Sequence, residues 1–236
     1  MNTDIYNNLS DRQKQQFERF SEMLRQENEI HNLTRITDPQ QIMIKHFLDS
    51  LVALPLLEKY AKTIDRAPFL ADVGSGAGFP VLPLAIAMPD WNFASIEATG
   101  KKADFQSKVI AELGLENVEV LQERAEDVGR NEDYRQRFDF AITRAVGRLE
   151  IIAELTVPLL RKGGIFLTWK GPKVEEEMPA GKKALHVLGM ENIIQIPYTL
   201  PGDEQSDYRL VQATKTKNTP PQYPREFKDI KSSPIK

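Results

Sequence analysis

The chain contains no cysteine among its 236 residues. That absence excludes disulfides, thiolate metal sites and a cysteine nucleophile. The three histidines are scattered, so the sequence offers no ligand set for a metal ion. The chain also lacks an apolar run near the length of a membrane span, and its first residues lack the basic start and apolar middle of a signal peptide. We therefore expect a cytoplasmic protein that binds no metal and no membrane.

An excess of positive charge is missing as well, because the formal net charge is -3 at pH 7. This balance argues against a broad surface that coats nucleic acid, so a polyanion would have to meet a local basic patch. Hydrophobic residues make up 41% of the chain, which is enough to build a core. The length suits one large domain or a domain with an appendage.

Residues 69–80, FLADVGSGAGFP, read as a buried strand that runs into a glycine turn and then a helix. The alternate glycines, Gly74, Gly76 and Gly78, let the backbone turn sharply and leave no Cβ between the chain and a bound ligand. A dinucleotide fingerprint would place its third glycine at Phe79, and the lysine of a phosphate loop is missing. The turn therefore predicts a cofactor site of another kind.

The carboxylate of Asp72, two residues before the first glycine, would repel a phosphate and attract a cation. S-adenosylmethionine (SAM) carries a sulfonium and an ammonium, has no phosphate, and requires a close backbone approach. These features favour SAM as the ligand. The alternative is an ordinary strand-turn-helix connection without a ligand.

Strands and helices alternate after this turn, which predicts a mostly parallel sheet. Two helices, opening at Ser10 and at Asp38-Pro39, come before it. The helix after the turn contains Pro83, which indicates a late start or a kink. We expect further strands at residues 92–97, 117–121, 138–145, 165–169, 193–198 and 207–214, and further helices at residues 101–113, 149–160 and 174–188, with a turn at 161–164.

Three positions at strand ends are candidate ligand contacts. Glu97 comes 19 residues after Gly78, the place of the carboxylate that binds ribose hydroxyls, although a surface glutamate is the alternative. The segment 124–127 follows the third strand, where the adenine edge usually lies. Arg144 ends the fourth strand.

From Lys215 onward the composition changes, with six basic residues against two acidic ones and four prolines. The prolines predict that regular structure is absent there. Such a tail is either a solubilising end or an arm that clamps an RNA backbone, with Tyr223 as a ring on which a base stacks.

Several motifs occur together in order: residues 32–34 (NLT), 46–50 (HFLDS), 72–80 (DVGSGAGFP), 124–126 (RAE), 143–146 (TRAV), 170–171 (KG) and 223–225 (YPR). With these motifs the chain resembles, over nearly its full length, the bacterial RsmG (GidB, glucose-inhibited division protein B) family. The resemblance implies an α/β class I SAM-dependent methyltransferase with a Rossmann-like, mostly parallel seven-stranded sheet, an antiparallel last strand and an N-terminal helical extension. It implies that N7 of a guanosine in the 530 loop of 16S ribosomal RNA (rRNA) is methylated.

The resemblance also implies SAM contacts at Gly74, Phe79, Ala125, Glu126 and Arg144. Together with the residues chosen above, the predicted cofactor site comprises Asp72, Gly74, Gly76, Gly78, Phe79, Glu97, Ala125, Glu126 and Arg144. We divide the chain into an extension (1–66), a SAM-binding domain (67–215) and a basic tail (216–236), and we expect a monomer. The chain departs from the family's pattern at Glu97, where many relatives have aspartate, at Arg209, which stands one place late, and in the tail after Arg225.

Chemistry supports the same target. Methylation at C5 of a pyrimidine needs a cysteine, which is absent, and methylation of an amino nitrogen commonly uses an Asp/Asn-Pro-Pro-aromatic motif where this chain has residues 143–146. Guanine N7 has a free lone pair, so no general base is needed and the enzyme has to align the reacting atoms. We expect orienting residues in place of a catalytic pair, with His46, Asp49, Arg144 and Lys170 as candidates.

For the RNA, we expect contacts from Lys101, Lys102, Arg148, Tyr223 and Arg225, with 16S rRNA, the 30S subunit or an assembly intermediate as the partner. Two alternatives stay open: a methyltransferase of a small molecule, and a non-catalytic RNA-binding or regulatory protein. Deletion of residues 216–236 is expected to spare a small-molecule enzyme and to impair an rRNA enzyme.

Overall fold

A single sheet organises the middle of the chain in the computed structural model, which describes residues 2–235. Its seven strands lie in the order β3-β2-β1-β4-β5-β7-β6, and β7 runs antiparallel to both of its neighbours. The predicted mostly parallel sheet with an antiparallel last strand is thus confirmed. The strands are β1 (Phe69–Val73), β2 (Asn92–Ile96), β3 (Val118–Leu121), β4 (Phe138–Arg144), β5 (Leu160–Lys170), β6 (Met190–Leu200) and β7 (Asp203–Lys215).

Helices precede the sheet, connect its strands and follow it. Before β1 lie α1 (Asn2–Asn7), α2 (Asp11–His31), α3 (Pro39–Ile42), a π-helix (Met43–Leu48), α4 (Asp49–Leu51) and α5 (Leu54–Ala61). The later helices are α6 (Val81–Ala87), α7 (Gly100–Leu113), α8 (Ala125–Arg130), α9 (Leu149–Thr156) with a 3-10 turn (Val157–Leu159), α10 (Val174–Val187) and α11 (Phe227–Ser232). None of the helices in residues 2–235 is both long and apolar enough to cross a membrane.

Local signals placed the helix starts correctly. Ser10 and Gln13 form a reciprocal capping box at the start of α2, and the Asp38 side chain accepts a hydrogen bond from the backbone N–H of Gln41 at the start of α3. Helix α6 begins at Val81, so Pro83 lies in its first turn, where a missing N–H leaves no intrahelical bond unmade. The late start, and not a kink, is therefore the consequence of Pro83.

The start of β5 differs from the expectation. The expected turn at residues 161–164 is instead part of the strand, because Leu160 already pairs with Phe138 before an irregularity in the register. A Cβ on Gly164 would lie 2.9 Å from the carbonyl oxygen of Asp139, so the glycine allows the neighbouring strand to approach. The α9 segment likewise ends earlier than predicted, and β6 and β7 are longer at both ends.

Two hydrophobic clusters cover the two faces of the sheet. The first joins the N-terminal helices to α6 and α7 through aromatic side chains that include Phe17, Phe20 and Phe47. The second lies under α8, α9 and α10 and includes Ile230 and Ile235 from the end of the chain. Because neighbouring strand residues point to opposite faces, Leu70 belongs to the first cluster and Ala71 to the second.

The C-terminal segment departs most from the sequence prediction. Residues 227–232 form helix α11, although four prolines were expected to prevent regular structure there. The prolines lie before and after this helix and not within it, so they delimit the helix and do not break it. Ile230 is fully buried, which shows that the segment packs on the domain. The division of the chain at 66/67 and 215/216 stays a prediction.

Candidate active site

The glycine turn between β1 and α6 is built as predicted, but its glycines serve different purposes. All three have positive φ angles, a backbone region that favours glycine. A Cβ on Gly78 would lie 2.5 Å from Cδ1 of Leu82, and one on Gly74 would lie 2.6 Å from Cγ2 of Val146. A Cβ on Gly76 would meet nothing within 4 Å. Gly76 thus has room for a side chain, while the other two allow close packing within the protein.

Glu97 lies directly after β2, where its carboxylate is held by two backbone donors. The N–H of Gly76 donates to Oε2 at 2.9 Å, and the N–H of Thr99 donates to Oε1 at 2.8 Å. An ionised carboxylate has about four acceptor positions, so each oxygen keeps one for a ligand hydroxyl. The side chain is buried and lines a cleft, which favours the ligand role over an ordinary surface glutamate.

This cleft, with a volume of about 290 Å³, opens at the carboxyl ends of β1, β2 and β3. It brings together five of the predicted residues: Gly74, Glu97, Lys102, Ala125 and Glu126. The wall residues that were not predicted from the sequence as contacts include Val146, Leu155 and Phe227. The cleft has the position that doubly wound folds use for nucleotides and related ligands.

Asp72 lies beneath the turn and is completely buried. Its Oδ2 accepts a hydrogen bond from the N–H of Val81 at 3.2 Å, whereas its Oδ1 has no partner among the described residues. Burial raises the pKa of this carboxyl well above its usual range. A buried, incompletely bonded carboxyl gains most from a nearby cation, which agrees with the reasoning that excluded a phosphate ligand.

Arg144 at the end of β4 forms an ion pair with Asp49 from the N-terminal helices. Its Nη1 donates to Oδ2 of Asp49 at 2.6 Å and to the carbonyl oxygen of Lys45 at 3.3 Å. The other carboxylate oxygen of Asp49 accepts a hydrogen bond of 2.7 Å from the hydroxyl of Tyr198 on β6. The backbone carbonyl of Asp49 accepts from Nε1 of Trp169, also at 2.7 Å. We call Arg144, Asp49 and Tyr198 the arginine network.

His46 lies beside the arginine network in an aromatic stack. Its ring stacks on Phe79 at a centroid distance of 4.5 Å, and Phe79 stacks on Phe20 at 5.1 Å. Nε2 of His46 is 3.0 Å from Oγ1 of Thr34, and its Nδ1 is buried without a partner among the described residues. Burial and the nearby charge of Arg144 lower the pKa of His46 to about 4. The imidazole is therefore neutral at pH 7.

Lys170, the fourth orienting candidate, is not part of this cluster. Its Nζ donates to the carbonyl oxygen of Gly147 and to Oε2 of Glu177, both at 2.7 Å. Glu177 also accepts a hydrogen bond from the N–H of Leu149, the first residue of α9. These contacts tie the segment after β4 to α10, so Lys170 holds the loop around residues 145–148 in place.

The predicted RNA contacts lie in different surroundings. Lys102 borders the cleft, Nζ of Lys101 donates to the carbonyl oxygen of His31 at 3.0 Å, and Arg148 is exposed beside Glu150. Arg225 is engaged differently, because its Nε and Nη2 donate to the fully buried carboxylate of Glu154. The guanidinium of Arg225 also lies over the ring of Tyr223, at 5.7 Å from its centre. These contacts do not support RNA binding by Tyr223 and Arg225.

Tyr198 and Phe227 are the main site residues that sequence reasoning missed. Tyr198 lies on a strand recognised only by its apolar pattern, and Phe227 lies in a segment judged by its prolines. The aromatic ring of Phe227 between charged residues was a signal for burial, but nothing in the neighbouring sequence indicated which surface it would join. Because the tail is part of the fold, deletion of residues 216–236 would disturb the cleft and would not separate an RNA substrate from a small one.

The residues of the cleft fit SAM. Gly74 brings the backbone to the wall of the cleft, and Glu97 offers free acceptor positions there. Gly76 and Asp72 are not part of this wall, but Gly76 has space beside its backbone and Asp72 has an unpaired carboxyl oxygen beneath the turn. Nothing in the cleft resembles a phosphate site with a lysine held by a glycine loop. Within the described residues no group of three or more metal-binding side chains comes together.

Comparison with solved structures shows the same architecture. A variant of the 16S rRNA (adenine(1408)-N(1))-methyltransferase from Catenulisporales acidiphilia matches with a TM-score of 0.52 at 15% identity, covering 68% of this chain and 91% of that one. A geranyl diphosphate C-methyltransferase from Streptomyces coelicolor A3(2), solved with S-adenosyl-L-homocysteine, matches with a TM-score of 0.51 at 13% identity, covering 69% of this chain and 76% of that one. At such identity the likeness shows the class I methyltransferase fold alone.

Sequence relatives are much closer. The chain is 42% identical over 234 residues to a ribosomal RNA small subunit methyltransferase G from Lactococcus lactis subsp. cremoris (strain MG1363), covering 99% of this chain and 96% of the relative. It is 41% identical to the protein of the same name from Lactobacillus acidophilus, covering 96% and 93%. The family model described as rRNA small subunit methyltransferase G matches residues 13–199. The chain therefore belongs to the rRNA small subunit methyltransferase G (GidB) family and is a SAM-dependent rRNA methyltransferase.

Proposed function

We propose that this enzyme methylates N7 of a guanosine in the 530 loop of 16S rRNA, by in-line transfer without a general base. Family membership supports the small-subunit rRNA as the substrate class, and the resemblance noted from the sequence motifs suggests the base and the atom. The observation that carries the proposal is the state of the polar groups at the end of β4. Arg144, Asp49 and Tyr198 are bonded to one another, and Nε2 of His46 contacts Thr34, an arrangement that supports an orienting role for these groups over general base catalysis.

SAM supplies an electrophilic methyl group when it is bound. The residues that would hold it are those of the cleft: the backbone of Gly74, the carboxylate of Glu97, and the segment with Ala125 and Glu126. Asp72 lies buried beneath the turn, and a cation bound nearby would favour its ionised form and so lower its raised pKa. Phe79 lies behind the turn, where it supports His46 and places the turn against α2.

The titratable groups beside the turn are poorly suited to general base catalysis. Both carboxylate oxygens of Asp49 accept hydrogen bonds, from Arg144 and from Tyr198. The pKa of His46 lies at about 4, which makes it a weak base, and its Nε2 is bonded to Thr34. Guanine N7 needs no base, because its lone pair is free in the neutral purine. An exocyclic amine or a ribose hydroxyl would have to lose a proton.

Arg144 is the group with donors left for a ligand. Its Nη1 is used by Asp49 and Lys45, and no hydrogen bond within residues 2–235 involves its Nε or Nη2. The ion pair with Asp49 fixes the guanidinium plane, so these donors have a defined direction before the ligand arrives. Arg144, which directly precedes the cleft residues Ala145 and Val146, would thus orient a ligand, and Asp49 and Tyr198 would act through Arg144.

Basic side chains near the cleft would bind the RNA. Lys102 lines the cleft, its neighbour Lys101 is exposed, and Arg148 is exposed in the loop after β4. Because the whole chain is acidic, we expect RNA to bind at a local basic patch through phosphate contacts, so that the affinity depends strongly on salt. The labelling assay compares naked 16S rRNA with the 30S subunit as the substrate.

The test is incubation of the enzyme with labelled SAM and unmethylated 16S rRNA or 30S subunits, followed by mass mapping of the modified nucleotide. We expect label on N7 of one guanosine, with Glu97→Ala inactive and Glu116→Ala, an exposed position far from the cleft, fully active. Label on an exocyclic amine or a ribose oxygen would contradict the proposed atom. Label on no RNA, with SAM bound, would favour a small-molecule substrate.

A further inference from the structure

We propose that the C-terminal segment completes the cofactor site, with Phe227 as the side chain that contacts the adenine ring of SAM. This inference rests on the proposed SAM site and adds to it a residue outside all of the family motifs found in the sequence. It also assigns to the tail a function other than RNA binding.

The segment before α11 is fixed to the domain by charged and polar contacts. The backbone N–H of Arg225 and its Nε both donate to Oε1 of Glu154, at 2.9 and 2.8 Å, and its Nη2 donates to Oε2 at 2.6 Å. Glu154 lies on α9 and is completely buried. A buried carboxylate is stable only when it is paired, so this contact determines where the segment lies.

Further contacts hold the segment on α8. Nε of Arg130 donates to the carbonyl oxygen of Pro224 at 3.0 Å, and Nη1 of Arg135 donates to that of Tyr223 at 2.7 Å. Pro224 packs so closely on Gly129 that a Cβ there would lie 3.0 Å from its ring. Since α8 and α9 begin at the carboxyl ends of β3 and β4, the segment is attached to the two helices that frame the cleft.

Phe227, the first residue of α11, is brought into the cleft by this attachment. Its half-buried ring packs against the second hydrophobic cluster and lines the cleft together with Leu155 and Ala125. The guanidinium of Arg124 lies over the ring, 5.8 Å from its centre. One part of the ring is therefore packed and another part borders the space where a ligand would lie.

The position of the ring in the cleft indicates the adenine end of the ligand. In doubly wound folds the loop after the third strand receives the adenine edge, and here this loop contains Arg124 and Ala125. Glu97, which would hold the ribose, lines the same cleft. An aromatic wall next to that loop suits a purine, because rings stack well on planar bases.

The contacts of the tail argue against a role as an RNA arm. Arg225 is neutralised by Glu154, and Arg130 pairs with Glu226 at 2.7 Å. The first pair occupies the guanidinium of Arg225 within the protein, so it is not free for a phosphate. Lys228 and Lys231 of α11 stay exposed.

The experiment is calorimetric titration of the full-length protein with S-adenosylhomocysteine and, separately, with adenosine. We expect Phe227→Ala to weaken the binding of both ligands by about tenfold or more, the size of effect found when an aromatic platform for a base is removed. Phe227→Tyr should bind both ligands nearly as the wild type does. Lys228→Ala, an exposed change on the same helix, should bind both without change.

The outcomes separate this inference from the proposed function. If the wild type binds neither ligand, the proposed SAM site itself is wrong. If the wild type binds and folded Phe227→Ala binds equally well, the role of Phe227 is wrong, and the same holds if only S-adenosylhomocysteine and not adenosine is affected. Should Phe227→Ala fail to fold, Phe227→Leu keeps most of the apolar volume, and unchanged affinity in that variant would overturn the inference.

Discussion

The two ends of the chain pack on the two opposite faces of the sheet, and they are held there in different ways. The N-terminal helices insert fully buried aromatic rings, among them Phe17, Phe20 and Phe47, into the first hydrophobic cluster. The C-terminal segment is held by Arg225 on the buried Glu154 and by two arginines that bind its carbonyl groups, with Ile230 as its buried apolar anchor.

This difference corresponds to two parts of the proposed active site. The N-terminal helices supply Asp49, which pairs with Arg144, and His46, which stacks on Phe79 of the glycine turn. The C-terminal segment supplies Phe227, which borders the cleft proposed for the cofactor. One central sheet thus receives the partner of Arg144 and the Phe227 wall of the cleft from opposite ends of the chain. The variants below test each attachment separately.

The largest effect is expected from Phe20→Ala in the N-terminal attachment. Phe20 is completely buried and its ring contacts those of Phe47, Phe79 and Phe105. Removal of such a ring leaves a cavity, and the free energy of unfolding should fall by about 4 kcal/mol. Urea denaturation measures the loss, and Gln15→Ala, an exposed change on the same helix, should have almost no effect. A loss below about 1 kcal/mol would show that the aromatic cluster is not what holds this end.

Arg225→Ala tests the other attachment. It leaves the carboxylate of Glu154 buried and unpaired, so we expect a loss of about 3 kcal/mol in the free energy of unfolding. The double variant Glu154→Leu/Arg225→Met should recover most of this loss, because it removes both charges and keeps the buried volume. Calorimetry should also show weaker binding of S-adenosylhomocysteine by Arg225→Ala. Unchanged stability in the single variant would mean that the segment is held by its apolar residues alone.

Each attachment also has a buried basic side chain near it, His46 at the N-terminal end and Lys215 before the C-terminal segment, and these two titrate in different pH ranges. Burial, with the charge of Arg144, lowers the pKa of His46 from 6.5 to about 4. The unfolded chain therefore binds the proton of His46 more tightly than the folded protein does. The contribution of neutral His46 to the free energy of unfolding is complete above pH 6.5 and is lost as the pH falls through about 4. The full loss amounts to roughly 3 kcal/mol.

Lys215, the last residue of β7, affects the free energy of unfolding in the same direction but at higher pH. Burial lowers the pKa of its ammonium from 10.5 to about 7, so its contribution is complete above pH 10.5 and is lost as the pH falls through about 7. We expect the stability difference between the wild type and His46→Gln to change between pH 4 and 6.5, and that for Lys215→Met between pH 7 and 10.5. Urea denaturation across this range measures both, and overlapping windows would contradict the assignment.

The smallest effect is expected from Tyr198→Phe, which removes one hydrogen bond to Asp49. Burial and the nearby charge of Asp49 raise the pKa of Tyr198 strongly, so its hydroxyl stays protonated and donates this hydrogen bond. We expect a loss of about 1 kcal/mol in stability. We also expect a fall in kcat with an unchanged KM for SAM, because Tyr198 positions Arg144 through Asp49 and does not line the cleft. Tyr208→Phe, whose hydroxyl bonds Asp203 instead, is the matched control and should keep the wild-type kcat.

Much of the fold could be predicted because its signals are local. The glycine turn, the capping box at Ser10, the start at Asp38 and the alternation of strands with helices depend on residues a few positions apart. Glu97 and the segment with Ala125 were found because the doubly wound fold fixes where strand ends lie. The start of β5 was misplaced because two glycines read as a turn, whereas the pairing of Leu160 with Phe138 made them part of a strand.

The sequence by itself thus determined the class of fold, the cofactor turn and the family of the protein, since each depends on residue types at short spacing. Only the tertiary structure decided which distant side chains complete the site. Asp49 and Tyr198 are 149 positions apart, and Phe227 reaches the cleft through a salt bridge that joins residues 71 positions apart. Such contacts depend on how the helices at both ends pack on the sheet, and periodicity and turn residues carry no information about that packing.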